Sequence, residues 1–473
     1  MPVERYLVVV RHCCLACLLA AVLPACAGAD WPTYRGNAQR TGSIDDRPGP
    51  AKPRVLWHYG GKENYVGSPC IAGRRVCLAG LGAFNSGVVH AFDIGPSDKR
   101  LAWSKAPPLL KSPVVCSPSA AGEAVLFGDG MHQTDGASLH AVLADSGRLL
   151  WKYELPGKLI HMEGSPTIVA NRVFIGAGSG GLLCLDAARL TLAGKEQTPP
   201  EIQKQLAAEW QKLVEAYEKE KKVDPDFAIP PTEDSLPKAA PKLVWQQGAG
   251  AWHVDAPVAV VGDKVLAASA YLDFDKTGER ALLCLRADTG ETVWKTTLEQ
   301  NPWAGATIAG DLAILGASTI RLEPKDIPRG RGSLVAVNLS DGALRWKKVF
   351  PGGVVASVAV KGNLVISTAT DGIVRANDVA TGDLKWSYPA AAPFFAGPAV
   401  AGDVVYVGDL KGVVHAMGLT DGQGKWKLDL NETATKDAMI YGSPIVHEGK
   451  LYVGTCNLSA AGKGQQALVC IGE

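Results

Sequence analysis

The chain has 473 residues, with 48 Lys and Arg against 47 Asp and Glu, for a formal charge of +1. That balance lacks the basic excess that marks a nucleic-acid-binding chain. Gly supplies 53 residues, above the usual share of about 7%, which suits a chain that turns at short intervals.

Residues 1–29 read as a secretory signal, with Arg5 and Arg11 in front, an apolar run over 13–23, Pro24 as breaker and Ala27-Gly28-Ala29 as a small-residue cleavage site. Cleavage there leaves a formally neutral chain from Asp30. Leu23-Pro24-Ala25-Cys26 offers a rival reading as a lipoprotein box, with a lipid anchor at Cys26. The run is too short to span the roughly 30 Å of membrane hydrocarbon. A secreted or periplasmic, cell-envelope protein is expected.

From residue 55 onward one pattern recurs. Gly followed four residues later by Trp occurs at Gly147/Trp151, Gly290/Trp294, Gly342/Trp346, Gly382/Trp386 and Gly422/Trp426, and Trp57, Trp103 and Trp245 hold the same slot after altered turns. A small residue before Pro opens most units, at Ser68-Pro69, Ser117-Pro118, Ser165-Pro166, Ala256-Pro257, Gly397-Pro398 and Ser443-Pro444, with Gly305 and Ser357 in that place in units five and six. Pro is tolerated at the first residue of a strand, where its missing N–H removes no ladder bond. Between the marks, short runs such as Val404-Val405-Tyr406-Val407 and Val413-Val414-His415-Ala416-Met417 alternate with Gly and Asp turn signals. Such a period denotes stacked supersecondary units.

The third unit is interrupted over residues 187–242. A helix is predicted over 201–222, where Ile202, Leu206, Trp210, Leu213, Val214 and Tyr217 keep helical spacing among Glu, Lys and Gln, followed by a Pro-rich linker. The stripe either packs on the chain's own side or docks a partner. The last unit runs from Ser443-Pro444 to Ile471 and lacks a Trp strand, whereas Val55-Leu56-Trp57-His58 precedes the first Ser-Pro mark and has no unit of its own. Pairing the two completes an all-β ring, an eight-bladed β-propeller of four-stranded antiparallel blades spanning 30–473 as one domain. Radial repetition leaves only short, protected strand edges.

The unit Ala287-Asp288-Thr289-Gly290-Glu291-Thr292-Val293-Trp294 resembles the tryptophan-docking motif of the pyrroloquinoline-quinone (PQQ) binding-like, quinoprotein-type propeller repeats. The stretch Asp30-Trp31-Pro32-Thr33-Tyr34-Arg35-Gly36-Asn37 is similar to the segment that often precedes such propellers in secreted bacterial proteins. The resemblance implies a fold in which each Trp, from Trp57 through Trp103, Trp151, Trp245, Trp294, Trp346 and Trp386 to Trp426, packs between neighbouring blades. In the dehydrogenases of that family it further implies a quinone in the central funnel, held by Ca²⁺ beside a catalytic Asp and a disulfide between adjacent cysteines. The adjacent cysteines of this chain, Cys13-Cys14, lie in the signal, and no Ca²⁺ ligand set or catalytic Asp can be placed residue by residue.

Seven cysteines follow the signal. Cys184, Cys284 and Cys470 take a slot that holds Ala91, Ala336, Ala376 and Ala416 in other units, as expected of small packing residues; Cys70 with Cys77, and Cys456 with Cys470, are close enough in the repeat to meet. No Cys-x-x-Cys occurs, and neither a nucleophile elbow, a P-loop nor His-Glu-x-x-His is present. Asp273-Phe274-Asp275-Lys276-Thr277-Gly278 lacks the bidentate Glu of a calcium loop and reads as a polar hairpin.

The loops leading into the innermost strands carry the candidate ligand-binding residues Tyr65, His161, Glu163, Trp252, His253, Asp255 and Tyr441, with Asn301, Trp303, Lys436 and Asp437 nearby. His253 and Asp255 stand out because alternate residues of a strand share a side; they are expected to face solvent in the funnel. Those loops and the connections between second and third strands share one end of the ring, here the loop face, while the Asp-x-Thr-Gly hairpins form the opposite, turn face. The sequence favours a non-catalytic binding or scaffold propeller, with no cofactor, no structural metal and a monomeric state. A PQQ- and calcium-dependent alcohol or sugar dehydrogenase, and a small-molecule or glycan-binding sensor, are the alternatives.

Overall fold

A computed structural model describes residues 31–473 apart from 45, 62, 96–99, 111, 133 and 459–463. The expected signal and Cys26 lie outside the described residues. Within them no helix is long and apolar enough to cross a membrane.

The repeat marks become inter-blade contacts. In the hairpin joining the third and fourth strands, Gly422 has φ +68°, and a Cβ there would sit 2.5 Å from the Trp386 ring of the preceding blade. Gly147, Gly290, Gly342 and Gly382 meet Trp103, Trp245, Trp294 and Trp346 in the same way. Gly is therefore required twice at this position, by the left-handed backbone and by the indole lying on it. Each indole also donates into the neighbouring blade: Trp386 Nε1 to the Leu419 carbonyl (2.8 Å), Trp346 to Val379 (2.8 Å), Trp294 to Leu339 (3.1 Å), Trp245 to Ala287 (3.1 Å) and Trp103 to Ala144 (2.9 Å).

Eight antiparallel sheets result. Blade one is Cys70–Ala72, Arg75–Leu81, Gly87–Asp93 and Leu101–Lys105, hydrogen-bonded in chain order. Blades two to seven follow, and their short first strands line the centre. Blade eight combines Ile445–His447, Lys450–Gly454 and Gln466–Gly472 with the outer strand Arg54–Gly61, in which Trp57 opposes Cys470 and His58 opposes Val469. The ring is thus closed by the strand that precedes it in sequence.

The Ser of the Ser-Pro mark has a mechanical role. Ser68 Oγ accepts the Ser443 N–H (2.8 Å), Ser117 Oγ accepts the Ser68 N–H (2.8 Å) and Ser443 Oγ accepts the Gly397 N–H (3.0 Å), so consecutive blades are linked where their first strands begin.

The segment before the ring threads its centre. Carbonyls of Trp31, Pro32, Ala38, Gln39, Thr41 and Gly42 accept the N–H groups of Ile71, Ala120, Val260, Ile308, Val360 and Val400, the middle or third residues of six innermost strands. Inner strand edges would otherwise present unpaired donors. Two fully buried cations complete the plug. Arg40 donates to the carbonyls of Val258 (2.9 Å), Tyr34 (2.7 Å) and Ser165 (3.2 Å) and to Thr33 Oγ1 (2.7 Å), and Arg35 donates to the carbonyls of Val358 (3.0 Å) and Pro398. Burial lowers their guanidinium pKa values, Arg40 to about 9 and Arg35 to about 10.

In blade three the third strand, Leu182–Leu192, pairs with both Lys195–Gln197 and the outer strand Ala240–Gln247. Between those two partners stands the helix Pro199–Val223, whose capping box joins the Thr198 N–H to Glu201 Oε2 (2.7 Å). Ile202 and Leu206 are buried in one cluster with Leu150, Trp151, Leu190 and Leu192, and Trp210 and Leu213 pack against it. The first half of the predicted stripe therefore covers the propeller's own blades two and three, beside a cleft of about 390 Å³ that Trp151, Pro199 and Gln203 line. All seven cysteines are buried free thiols; Cys70 opposes Cys77 across the first ladder of blade one, whereas Cys470 opposes Tyr452 and Cys456 bridges to Met439.

Candidate functional site on the loop face

Blades two, three and four approach one another through their loops on this face. His161 and Glu163 precede the first strand of blade three, and His253 and Asp255 precede that of blade four, where Val254 forms a bridge with Gly178. The bridge holds residues 253–255 extended and sends His253 and Asp255 to the same side. Asp255 Oδ1 lies 2.9 Å from His161 Nε2, and Asp255 Oδ2 lies 3.0 Å from His253 Nε2, although the second contact lacks hydrogen-bond alignment. His253 Nδ1 meets Ser179 Oγ at 3.1 Å. Glu163 Oε1 is 3.9 Å from His161 Nε2 and accepts the His132 N–H.

His132 completes the group. It sits in the connection between the second and third strands of blade two, its Nε2 accepting from Arg321 Nη1 at 2.8 Å, while Arg321 also covers the Trp303 ring at 5.0 Å. The imidazoles of His132 and His161 have centroids 5.9 Å apart, and those of His161 and His253 5.1 Å. One ring nitrogen from each of the three lies within 4.8 Å of the others.

The electrostatics follow from two carboxylates sharing one confined site. Burial, then the neighbouring Asp255 charge, push the Glu163 carboxyl up to about 7. Burial also works against ionised Asp255, yet the His161 and His253 imidazoles hold its carboxyl well below the ordinary range. Burial disfavours charge on His161, and Asp255 outweighs that and raises its pKa. For His132, burial and the Arg321 guanidinium both lower it. Other acid–base pairs of the ring are self-contained: Asp129 with His140 and Asp409 with His415, each at 2.9 Å, and Asp371 with Arg375 at 2.6 Å.

The remaining candidates lie elsewhere. Tyr65 is fully buried between blades eight and one, its ring against Gly80 and its Cβ against Gly454, and burial raises its phenol. Tyr441 is buried edge-on to Phe395 with centroids 5.0 Å apart, and burial raises its phenol also. Neither lines an open funnel, because both rings are buried in hydrophobic clusters. Trp252 folds back over Gly248. His253 is fully buried as well, which corrects the expectation of a solvent-facing His253 and Asp255 pair. His132, Ser179 and Arg321 stand outside the loops leading into first strands and carry no register mark in the sequence. The second-to-third-strand connections emerge on the same face, and that topology was the available signal.

A family model described as "Outer membrane protein assembly factor BamB" matches residues 50–213, 238–327 and 325–470. The chain belongs to this family. Among solved structures, BamB from Moraxella catarrhalis superposes with a TM-score of 0.55 at 15% identity, covering 88% of this chain and 97% of that one. A europium-containing methanol dehydrogenase gives 0.62 at 14% identity, covering 94% and 98%, and the quinohemoprotein alcohol dehydrogenase from Comamonas testosteroni 0.60 at 14%, covering 94% and 81%. These identities speak to the fold alone. No curated protein sequence matches the chain.

The residues of the site do not fit a calcium-bound quinone. Ca²⁺ takes six to eight oxygen ligands, whereas this cluster offers two carboxylates among three imidazoles, with one carboxylate already engaged by two of them.

Proposed function

We propose that this BamB-family propeller is a non-catalytic binding module of the cell envelope that docks a protein partner on its loop face. The observation that carries this reading is the placement of exposed apolar side chains. Phe84, Phe274, Leu322 and Leu458 sit in the second-to-third-strand connections of blades one, four, five and eight, with Phe84 fully exposed and Phe274 88% exposed. The chain places them around a single end of a rigid ring, where variable loops on a fixed scaffold usually bind. Apolar tips over a polar centre match the composition of protein interfaces, in which aromatic residues are enriched. The turn face presents repeated Gly hairpins with few distinctive side chains.

A photocrosslinking amino acid at Phe84 or Phe274, compared with one at Phe227 in the insertion and Val293 on an outer strand, tests the reading in envelope preparations of the native host. Adducts to one partner from Phe84 and Phe274, absent from Val293 and Phe227, are expected. Adducts from Phe227 alone would move the partner to the insertion. Dye reduction by the purified chain on adding PQQ, Ca²⁺ and an alcohol or aldose would instead make it a dehydrogenase.

A further inference from the structure

We infer that His132, His161 and His253 form a binding site for a divalent transition-metal ion of the zinc class, with Glu163 and Asp255 as its accompanying carboxylates. Three loops from three successive blades deliver one imidazole each, and their nearest nitrogens lie within 4.8 Å of one another. Zinc–nitrogen bonds of roughly 2.0–2.1 Å place tetrahedral donors about 3.3 Å apart, so side-chain rotation closes the gap without moving a blade.

Two further observations leave donor atoms for a ligand. His161 is fully buried with Nδ1 unpartnered, and His253 Nε2 is buried without an aligned hydrogen bond. A buried imidazole nitrogen without a partner forfeits a hydrogen bond that the same group would make in water, and a metal ion is one partner that satisfies such a lone pair. The surroundings also have the form of a metal site's outer layer. Asp255 stands against His161 Nε2 and Ser179 Oγ against His253 Nδ1, each on the ring nitrogen opposite the unpartnered one, which is how ligating imidazoles are oriented by carboxylates and hydroxyls. Three neutral imidazoles, two carboxylates and Arg321 sum to one negative charge when both carboxylates are ionised, which favours uptake of a cation. Arg321 opposes it locally and, by donating to His132 Nε2, leaves Nδ1 as the donor of that ring. The donor set selects the metal class: imidazole suits zinc, copper and nickel, whereas calcium and magnesium require oxygen.

The inference does not depend on a protein partner, because uptake is measured on the isolated chain. Tag-free protein is stripped with a chelator, titrated with Zn²⁺ and counted by elemental analysis, and Co²⁺ serves as a spectroscopic probe, its visible bands reporting tetrahedral nitrogen coordination. One equivalent per chain with intense Co²⁺ bands is expected. His132→Ala is the principal variant, because His132 is half-buried and its loss leaves the buried pair in place; it should abolish the bands and the stoichiometric uptake. Asp255→Asn should keep the stoichiometry and weaken affinity about ten- to a hundredfold. His58→Ala, on the exposed outer strand of blade eight, is the control and should bind as the parent does. The inference is overturned if the parent takes up no stoichiometric metal, if His132→Ala binds with unchanged affinity, or if His58→Ala loses binding equally.

Discussion

Replacing Gly422 with Ala separates the two demands made on the repeat glycine. A non-Gly residue in the left-handed region costs about 1–2 kcal/mol, and at φ +68° that charge applies whatever surrounds it. The added methyl would also stand 2.5 Å from Trp386 Cε3, and forcing atoms into a packed interface typically costs another 1–3 kcal/mol. Gly422→Ala should therefore lose about 2–5 kcal/mol in all. Gly362→Ala supplies the reference: its φ is +59° and nothing lies within 4 Å of the new methyl, so the backbone component of about 1–2 kcal/mol should stand alone. Urea unfolding followed by circular dichroism, with slopes compared to confirm a common mechanism, measures both. The decisive arm is Gly422→Ala placed on Trp386→Ala. With the ring gone, its cost should fall to that of Gly362→Ala, a coupling readable as a double-mutant cycle. Equal costs with and without Trp386 would refute indole docking as the reason for the Gly-to-Trp spacing.

Removing residues 31–49 should withdraw six backbone carbonyls and both buried guanidinium groups from the centre, lowering stability by roughly 3–9 kcal/mol at about 0.5–1.5 kcal/mol for each net backbone bond; an unchanged melting temperature would contradict the plug. In the insertion, Leu206→Ala should cost about 2–3 kcal/mol, toward the low end for buried Leu, while Phe227→Ser, 78% exposed, should cost little by the same melting assay. Burial pushes the thiols of Cys116 and Cys184 up to about 12 and those of Cys284 and Cys470 to about 11, so iodoacetamide at neutral pH should label none of them until the chain is denatured. The double substitution of His253 and Asp255 by Ala should destabilise the ring measurably in thermal melts, because His253 is fully enclosed and Asp255 holds His161.

The repeat was readable because it rests on backbone geometry: a Gly with positive φ, four residues before an indole, can serve few other ends in series. The closing strand around Trp57 was equally readable, since a Trp strand without a blade and a blade without a Trp strand have one simple solution. The arm was not. Trp31 to Gly42 contains no periodicity, and its contacts run mainly through carbonyls, which every residue type possesses. The functional cluster was half legible for a related reason. His161, Glu163, His253 and Asp255 stand beside register marks and can be located by counting, but His132 and Arg321 occupy loops of irregular length, and only folded distances bring them to the same point. Tyr65 misled because a polar tip near the axis looks like a funnel lining, while its ring is what fills the space between two blades.

The joining of Arg54–Gly61 to Gln466–Gly472 bears on when this protein can fold. The strand Arg54–Gly61 needs Gln466–Gly472, far later in the chain, as its partner, and the plugging arm needs inner strands from six blades before its carbonyls are satisfied. Local hairpins can form during synthesis, but the ring cannot shut until Gln466–Gly472 has been made. Such pairing between distant parts of the chain slows folding, and the unpaired edges that persist meanwhile are exposed to association with other chains. A chain built this way remains open until its eighth blade has been made.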